Sequence, residues 1–234
     1  MARPRRGFTG FLDQDQFCTL CLPRTVVNFE TTNRHREIDH RVMPTRLTLI
    51  CHAATRATRS AAFPSDEPLE QPASVSGTVG SLRRAERSWT SPALCARQTA
   101  AALELAPVVD SDLRDCDYGR WAGRRLRDVG AEEPNAIATW LTDVRAAPHG
   151  GESIADVLRR IAAWLDRRIG ENGHEVAVTH AAVIRCAILH AIGAPTHSFW
   201  HIDIGPLSMT ELRHDGSRWR WRAGRENDSH LESL

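Results

Sequence analysis

Leu47-Thr-Leu-Ile-Cys-His52 and Val176-Ala-Val-Thr-His180 decide the reading of this chain. Each is an apolar run of strand type that ends on a histidine and breaks into small residues, Ala53-Ala54 in one case and Ala181-Ala182 in the other. In an open α/β sheet, ligands bind outside the carboxyl ends of the strands. Two histidines that end adjacent parallel strands therefore face one crevice, and a two-imidazole site is built that way.

Working outward, strands and helices alternate. The first strand is expected over 46–51, a Pro- and Gly-bearing loop over 63–80, and a short strand over Arg87–Thr90. Ser91-Pro92 then suits a helix start, with the helix running from Ala93 to Leu105 before Pro107, and Pro107–Asp110 is a further short strand. Asn135–Val144 reads as helix. Ser153-x-x-Asp156 forms a capping-box pattern, followed by one apolar face of Ile154, Val157, Leu158, Ile161, Leu165 and Ile169. Strand 175–179 feeds a helix over Val183–Ile192, and Leu207–Arg213, an Asp215-Gly216 turn and Arg218–Trp221 make a closing hairpin. The order predicts an α/β protein: a three-layer α/β/α sandwich whose central sheet is mostly parallel, with an antiparallel edge hairpin.

Residues 1–42 lack either period and read as a poorly ordered N-terminal extension or an over-called start, leaving 43–224 as the domain and 225–234 as a tail. Within that extension, Cys18-x2-Cys21 and His35-x4-His40 have zinc-finger spacing, but the aromatic and leucine that pack such a finger are missing, which favours an accidental match. Thirty basic against 29 acidic residues leave a net charge of +1, so neither nucleic acid nor an anionic membrane is an expected partner. All the basic residues counted among Lys and Arg are arginine. No apolar run approaches the ~20 residues of a membrane span, and no apolar segment follows the basic start, so a cytoplasmic location is expected. The oligomeric state is not legible.

Six motifs, in order, resemble the histidine phosphatase superfamily, the phosphoglycerate-mutase-like phosphatases. Cys51-His-Ala-Ala-Thr55 stands where that family has Arg-His-Gly-x-Thr, and Asp66-Glu-Pro-Leu69 matches Asp-x-Pro-Leu. Ser91-Pro-Ala-Leu-Cys-Ala-Arg-Gln-Thr-Ala100 matches the family's Ser-Pro helix, and Asp115-Cys-Asp-Tyr-Gly-Arg-Trp-Ala-Gly123 its Glu-x-x-Tyr-Gly-x-Trp-x-Gly. Pro148-His-Gly-Gly-Glu-Ser153 and Thr179-His-Ala-Ala-Val-Ile-Arg185 complete the six, and Phe199-Trp200 and the final hairpin also fit, over about 46–224. The resemblance implies that His52 attacks phosphorus and forms a phosphohistidine, that His180 hydrogen-bonds the transferring oxygens, and that Asp115 protonates the leaving oxygen. It implies a small phosphorylated substrate and no cofactor, with Cys51, Thr55, Arg56, Cys95, Cys116 and Ala181 at the phosphate and substrate positions. Glu152 reads equally as a site residue and as a helix-start acid.

The departures fall on chemistry. The two family arginines that hold phosphate are Cys51 and Cys95 here, and Cys116 follows the acid position. A thiol is a weak neutral donor where arginine supplies a charged fork. Arg56, Arg59 and Arg97 are the candidates to swing in. Ala53, Ala181 and Ala182 add methyl groups where glycine is usual and narrow the pocket. The alternative reading is a catalytically degenerate metal- or thiol-binding protein that uses Cys51, Cys95, Cys116, His52 and His180, a set of soft thiolate and imidazole ligands. Trp121 and Trp200 read as packing or cleft wall, and the arginines at 124, 125, 127, 159, 160, 167 and 168 as solvated helix surface.

Overall fold

The computed structural model describes residues 44–71, 82 and 84–223, so the Cys18, Cys21, His35 and His40 set lies outside the described residues. Strand β1 (Thr45–Cys51) is central. It pairs in parallel with β4 (Gly173–Thr179) and antiparallel with β5 (Met209–His214). Strand β2 (Arg87–Thr90) runs parallel to β4, β3 (Val108–Val109) parallel to β2, and β6 (Trp219–Arg222) antiparallel to β5. The sheet order is β3-β2-β4-β1-β5-β6. This is the mostly parallel sheet with an antiparallel hairpin edge that the element order predicts.

Strand alternation divides the side chains between two faces. Leu47, Leu49 and Ala177 pack with α5 (Ile154–Asp166) and α6 (Ala181–Ile192). Ile50, Val176 and Val178 pack with Ala96, Ala100 and Leu103, which belong to or directly follow α2 (Leu94–Ala102). Helices thus cover both faces. Helix α5 starts where the capping box places it: Ser153 Oγ accepts from the Asp156 amide at 3.1 Å, and Asp156 Oδ2 accepts from the Ser153 amide at 3.2 Å. The remaining helices, α1 (Arg56–Ser60), α3 (Leu126–Glu132) and α4 (Pro134–Thr142), lie in the connections.

Several boundaries move for identifiable reasons. Helix α6 begins at Ala181, two residues early, because extended His180 is its N-cap. Strand β5 begins at Met209, since Leu207 has a left-handed φ of 59° that no strand accommodates. Helix α5 stops at Asp166, which leaves Ile169 46% exposed and outside the apolar face assigned to it. Two arginines read as solvated surface are not: the Arg160 and Arg168 side chains are 9% and 7% exposed. Arg168 stacks 3.5 Å from the Trp164 ring centroid and 4.5 Å from that of Trp89, so its planar cation is buried against aromatic faces. Among the described residues no helix is long and apolar enough to cross a membrane.

Candidate active site

The β1–β4 register pairs Cys51 with Thr179, so the next residues, His52 and His180, leave the sheet side by side. The His52 amide still donates to the Thr179 carbonyl at 2.9 Å, which carries the pairing one residue beyond the strand. The two imidazole centroids lie 5.0 Å apart with the ring planes at 65°. His52 Nδ1 is 2.8 Å from the Ala53 carbonyl oxygen. A carbonyl can only accept, so Nδ1 carries the proton and Nε2 keeps its lone pair for the cleft. The Ala53 amide donates to Thr99 Oγ1 at 3.0 Å, and that hydroxyl donates to the Cys95 carbonyl at 2.8 Å, tying the His52 backbone to α2.

His180 is buried, and its Nε2 is 2.8 Å from Ser91 Oγ. Its Nδ1 has no hydrogen-bond partner and approaches Asp115 Oδ2 at 3.6 Å. Burial, and then the neighbouring His52, hold the His180 pKa down at about 3, so the ring is neutral at physiological pH. Asp115 moves the other way. Burial pushes its pKa up to about 6, against hydrogen bonding from the Cys116 amide at 2.8 Å and the pull of His52. A carboxyl with that pKa is poised to give up or hold a proton near neutrality.

The loop that carries Asp115 is braced from behind. Arg160 of α5 donates to the carbonyls of Asp112, Arg114 and Asp115 at 2.5, 3.1 and 3.4 Å and pairs with Glu152 at 3.0 Å. Glu152 also pairs with Arg114 at 2.7 Å and accepts from the Asp117 amide. Glu152 is therefore a strut of the acid loop. Gly151 is required there: a Cβ at this position would sit 2.0 Å from the Asp117 carbonyl oxygen.

Two cavities open on these groups. One of about 290 Å³ has His52, His180, Asp115, Cys95 and Cys116 in its wall, together with Asp66, Glu67 and Asp117. Among the described residues, the one guanidinium lining it is that of Arg114, already paired with Glu152. A second cavity of about 180 Å³ shares His52 and Asp115 and adds Thr55, Ala181, Ala182, Trp140, Trp200 and Arg185. The Ala181 and Ala182 methyl groups thus form part of the second wall, while Trp121 is fully buried in an aromatic cluster with Phe63 and Trp140.

The cysteines part company here. Cys51 shares the parity of Leu47 and Leu49, packs in the core beneath α5 and α6, and lines neither cavity. Cys116 reaches the wall, but its thiol lies 3.3 Å from the Glu152 carbonyl oxygen and is engaged there. Of the five residues expected as a soft ligand set, only His52, Cys95 and His180 bring their ligand atoms together, all within 4.8 Å of one another. Thr55 caps α1 and donates to Glu67 at 2.9 Å. Arg56 is exposed and lines neither cavity; Arg59 pairs with Glu70, and Arg97 is exposed. Arg185 lines the second cavity; its buried Nε lacks a hydrogen-bond partner, and its Nη2 lies 4.0 Å from Asp203 Oδ1. The position of Arg185, five residues after His180 on α6, is a signal that could single it out, although the sequence candidates are Arg56, Arg59 and Arg97.

The sheet topology, the paired imidazoles and the strand-end cleft define an α/β sandwich with a two-histidine site. The chain belongs to the histidine phosphatase superfamily (branch 1), whose sequence profile matches residues 47–227. It is 30% identical over 210 residues to a bifunctional protein of Mycobacterium tuberculosis, covering 83% of this chain and 58% of that protein. It therefore spans less than two thirds of that relative. A glucosyl-3-phosphoglycerate phosphatase of Mycolicibacterium vanbaalenii is 31% identical over 157 residues, covering 55% of this chain and 69% of the relative. The solved structure of a mycobacterial glucosyl-3-phosphoglycerate phosphatase with VO3 superposes with a TM-score of 0.65 at 26% identity, covering 76% of this chain and 96% of that one.

Proposed function

We propose that the chain hydrolyses a small phosphomonoester through a phosphohistidine on His52, with 43–224 as the domain that does so and the cytoplasm as its setting. The observation that carries this reading is the His52 tautomer: the 2.8 Å contact from Nδ1 to the Ala53 carbonyl leaves Nε2 nucleophilic, beside His180. In the first step Nε2 attacks phosphorus while the P–O bond to the leaving group breaks, and protonated Asp115 gives its proton to the departing oxygen. In the second, Asp115, now a carboxylate, takes a proton from water as that water attacks phosphorus; the P–Nε2 bond breaks, its electron pair returns to the His52 imidazole, and phosphate is released. Splitting the transfer replaces one difficult displacement by two easier ones.

Phosphate binding falls to a sparse set of groups. His180 Nδ1 can donate to an equatorial oxygen when the Ser91 hydroxyl donates to Nε2. Helix α6 starts at Ala181 without a side-chain cap, so its first amides and the positive end of its dipole face the same cleft. Arg185 lines the second cavity and supplies a guanidinium there. These replace only part of what two arginine forks would give, which supports slow turnover. The glucosyl-3-phosphoglycerate phosphatases that the chain resembles support a small phosphorylated metabolite as the substrate class. The test is hydrolysis of an aryl phosphate by the full chain in excess chelator. Activity lost in His52→Ala supports the reading, and activity retained there rejects it.

A further inference from the structure

The described wall of the larger cavity carries more carboxylates than cations. Among the described residues Asp66, Glu67, Asp115 and Asp117 line the larger cavity against one guanidinium, that of Arg114, which shares Glu152 with Arg160. Within that negative field sit three soft donors. His52 Nε2 has its lone pair free because Nδ1–H is committed to the Ala53 carbonyl. His180 Nδ1 is buried with no hydrogen-bond partner. Cys95 projects from the first turn of α2 into the same wall. One ring nitrogen of each histidine and Cys95 Sγ all lie within 4.8 Å of one another.

We propose that His52, Cys95 and His180 form a zinc site, with the thiol that stands in place of an arginine as its third ligand. Tetrahedral zinc with nitrogen at about 2.0–2.1 Å and thiolate at about 2.3 Å needs ligand atoms roughly 3.3–3.6 Å apart. The observed spread closes to that by about 1 Å of side-chain movement, within reach of a χ adjustment in half-buried His52 and in Cys95. Both histidines already have the second-shell partners that zinc-bound imidazoles use: the Ala53 carbonyl on His52 Nδ1, and the Ser91 hydroxyl on His180 Nε2 at 2.8 Å. When Nε2–H donates to Ser91 Oγ, Nδ1 presents a lone pair instead of a proton. The same hydroxyl therefore serves either role. Metal entry displaces the Cys95 thiol proton to solvent and forms the Zn–S bond, with no redox change. Cys51 and Cys116 are not ligands, since one faces the core and the other is engaged with the Glu152 carbonyl. Three protein ligands leave a fourth position open to water or to Asp115, whose Oδ2 lies 3.6 Å from His180 Nδ1.

If His52 is also the phosphatase nucleophile, zinc silences turnover by occupying Nε2; that consequence rests on the proposed function, whereas the site does not. The experiment titrates Co2+ into the full chain carrying Cys18→Ser and Cys21→Ser, which removes the N-terminal cysteines, under reducing conditions. One equivalent is expected, with a thiolate-to-cobalt charge-transfer band that Zn2+ displaces. Cys95→Ser removes the band. His52→Gln, at a half-exposed position, weakens zinc retention in equilibrium dialysis by more than the roughly 10–100-fold that a second-shell partner is worth. Absence of stoichiometric cobalt overturns the site, as does a band that survives Cys95→Ser or dialysis retention unchanged in His52→Gln. A cobalt band together with no aryl phosphate hydrolysis by the metal-free chain in excess chelator rejects the phosphatase reading alone, and such hydrolysis without the band on cobalt addition rejects the zinc site alone.

Discussion

Restoring an arginine at position 95 tests whether the cleft is a phosphatase short of one phosphate ligand. Cys95 is 6% exposed, sits at the start of α2 and opens directly into the cavity of about 290 Å³ that holds His52. Cys95→Arg therefore places a guanidinium beside the nucleophile without crossing the core. A hydrogen bond to a charged group is worth about 1.5–3 kcal/mol, which corresponds to roughly 10- to 150-fold in kcat/KM when it acts in the transition state. Asp66 and Glu67 line the same wall and compete for the new cation, so the gain belongs at the lower end, about ten-fold. The assay is kcat/KM on an aryl phosphate in excess chelator, with thermal melting to establish that the variant is folded. A folded Cys95→Arg protein with unchanged or reduced kcat/KM refutes the argument that the missing charge limits turnover.

Further predictions concern individual groups. His52→Ala should lower hydrolysis by at least about 10³-fold while leaving thermal stability near wild type, because this half-buried ring contributes one hydrogen bond to a neighbouring carbonyl; kinetics and calorimetry check it. Asp115 acts in the first step as an acid with a pKa near 6, so kcat/KM should fall as pH rises through 6, and Asp115→Asn should abolish that limb. His180 has a folded pKa of about 3 against 6.5 when exposed, so the unfolded chain binds its proton first as pH drops. Stability present above pH 6.5 is then lost progressively towards pH 3, and His180→Asn should flatten that part of the chemical-denaturation profile. Gly151→Ala should destabilise by about 1–3 kcal/mol and reduce activity together, because its Cβ meets the Asp117 carbonyl and shifts the loop bearing Asp115.

The features legible in the sequence were those written by periodicity or by a cap. The two apolar runs ending on histidine gave β1 and β4, and the reciprocal Ser153–Asp156 pattern gave the start of α5. Helix α1 has five residues, Arg-Ala-Thr-Arg-Ser, too few for a periodic face; the Thr55 cap and left-handed Ala61 set its ends. Helix α3 buries only Val129 and carries a glycine, so its composition reads as surface loop. The end of α5, where the Arg168 and Ile169 amides turn to the Leu165 and Asp166 carbonyls, and the start of β5, set by left-handed Leu207, depended on backbone conformations that composition does not announce.

At the site, strand geometry made the histidine pair readable, whereas the thiols were not sorted by it alone. Parity with Leu47 and Leu49 assigns Cys51 to the core, a constraint already present in the sequence. The separation of Cys116 from Cys95 depended on a loop conformation held by Arg160 and Glu152, two side chains 46 and 57 residues away from Arg114 and Cys95 respectively in the chain and joined only by folding. Buried charge was hidden for the same reason. Arg160 sits in an arginine pair that looks solvated in sequence, and only the acid loop folded over it makes it a strut.

The most direct test of the central claim locates the phosphoryl group. The full chain is mixed with an aryl phosphate in chelator, quenched in alkali on the time scale of one turnover, digested and sequenced by mass spectrometry. A phosphoryl adduct on the imidazole of His52, absent in His52→Ala, is the predicted result. Turnover with no adduct on His52, or an adduct on another residue, contradicts it.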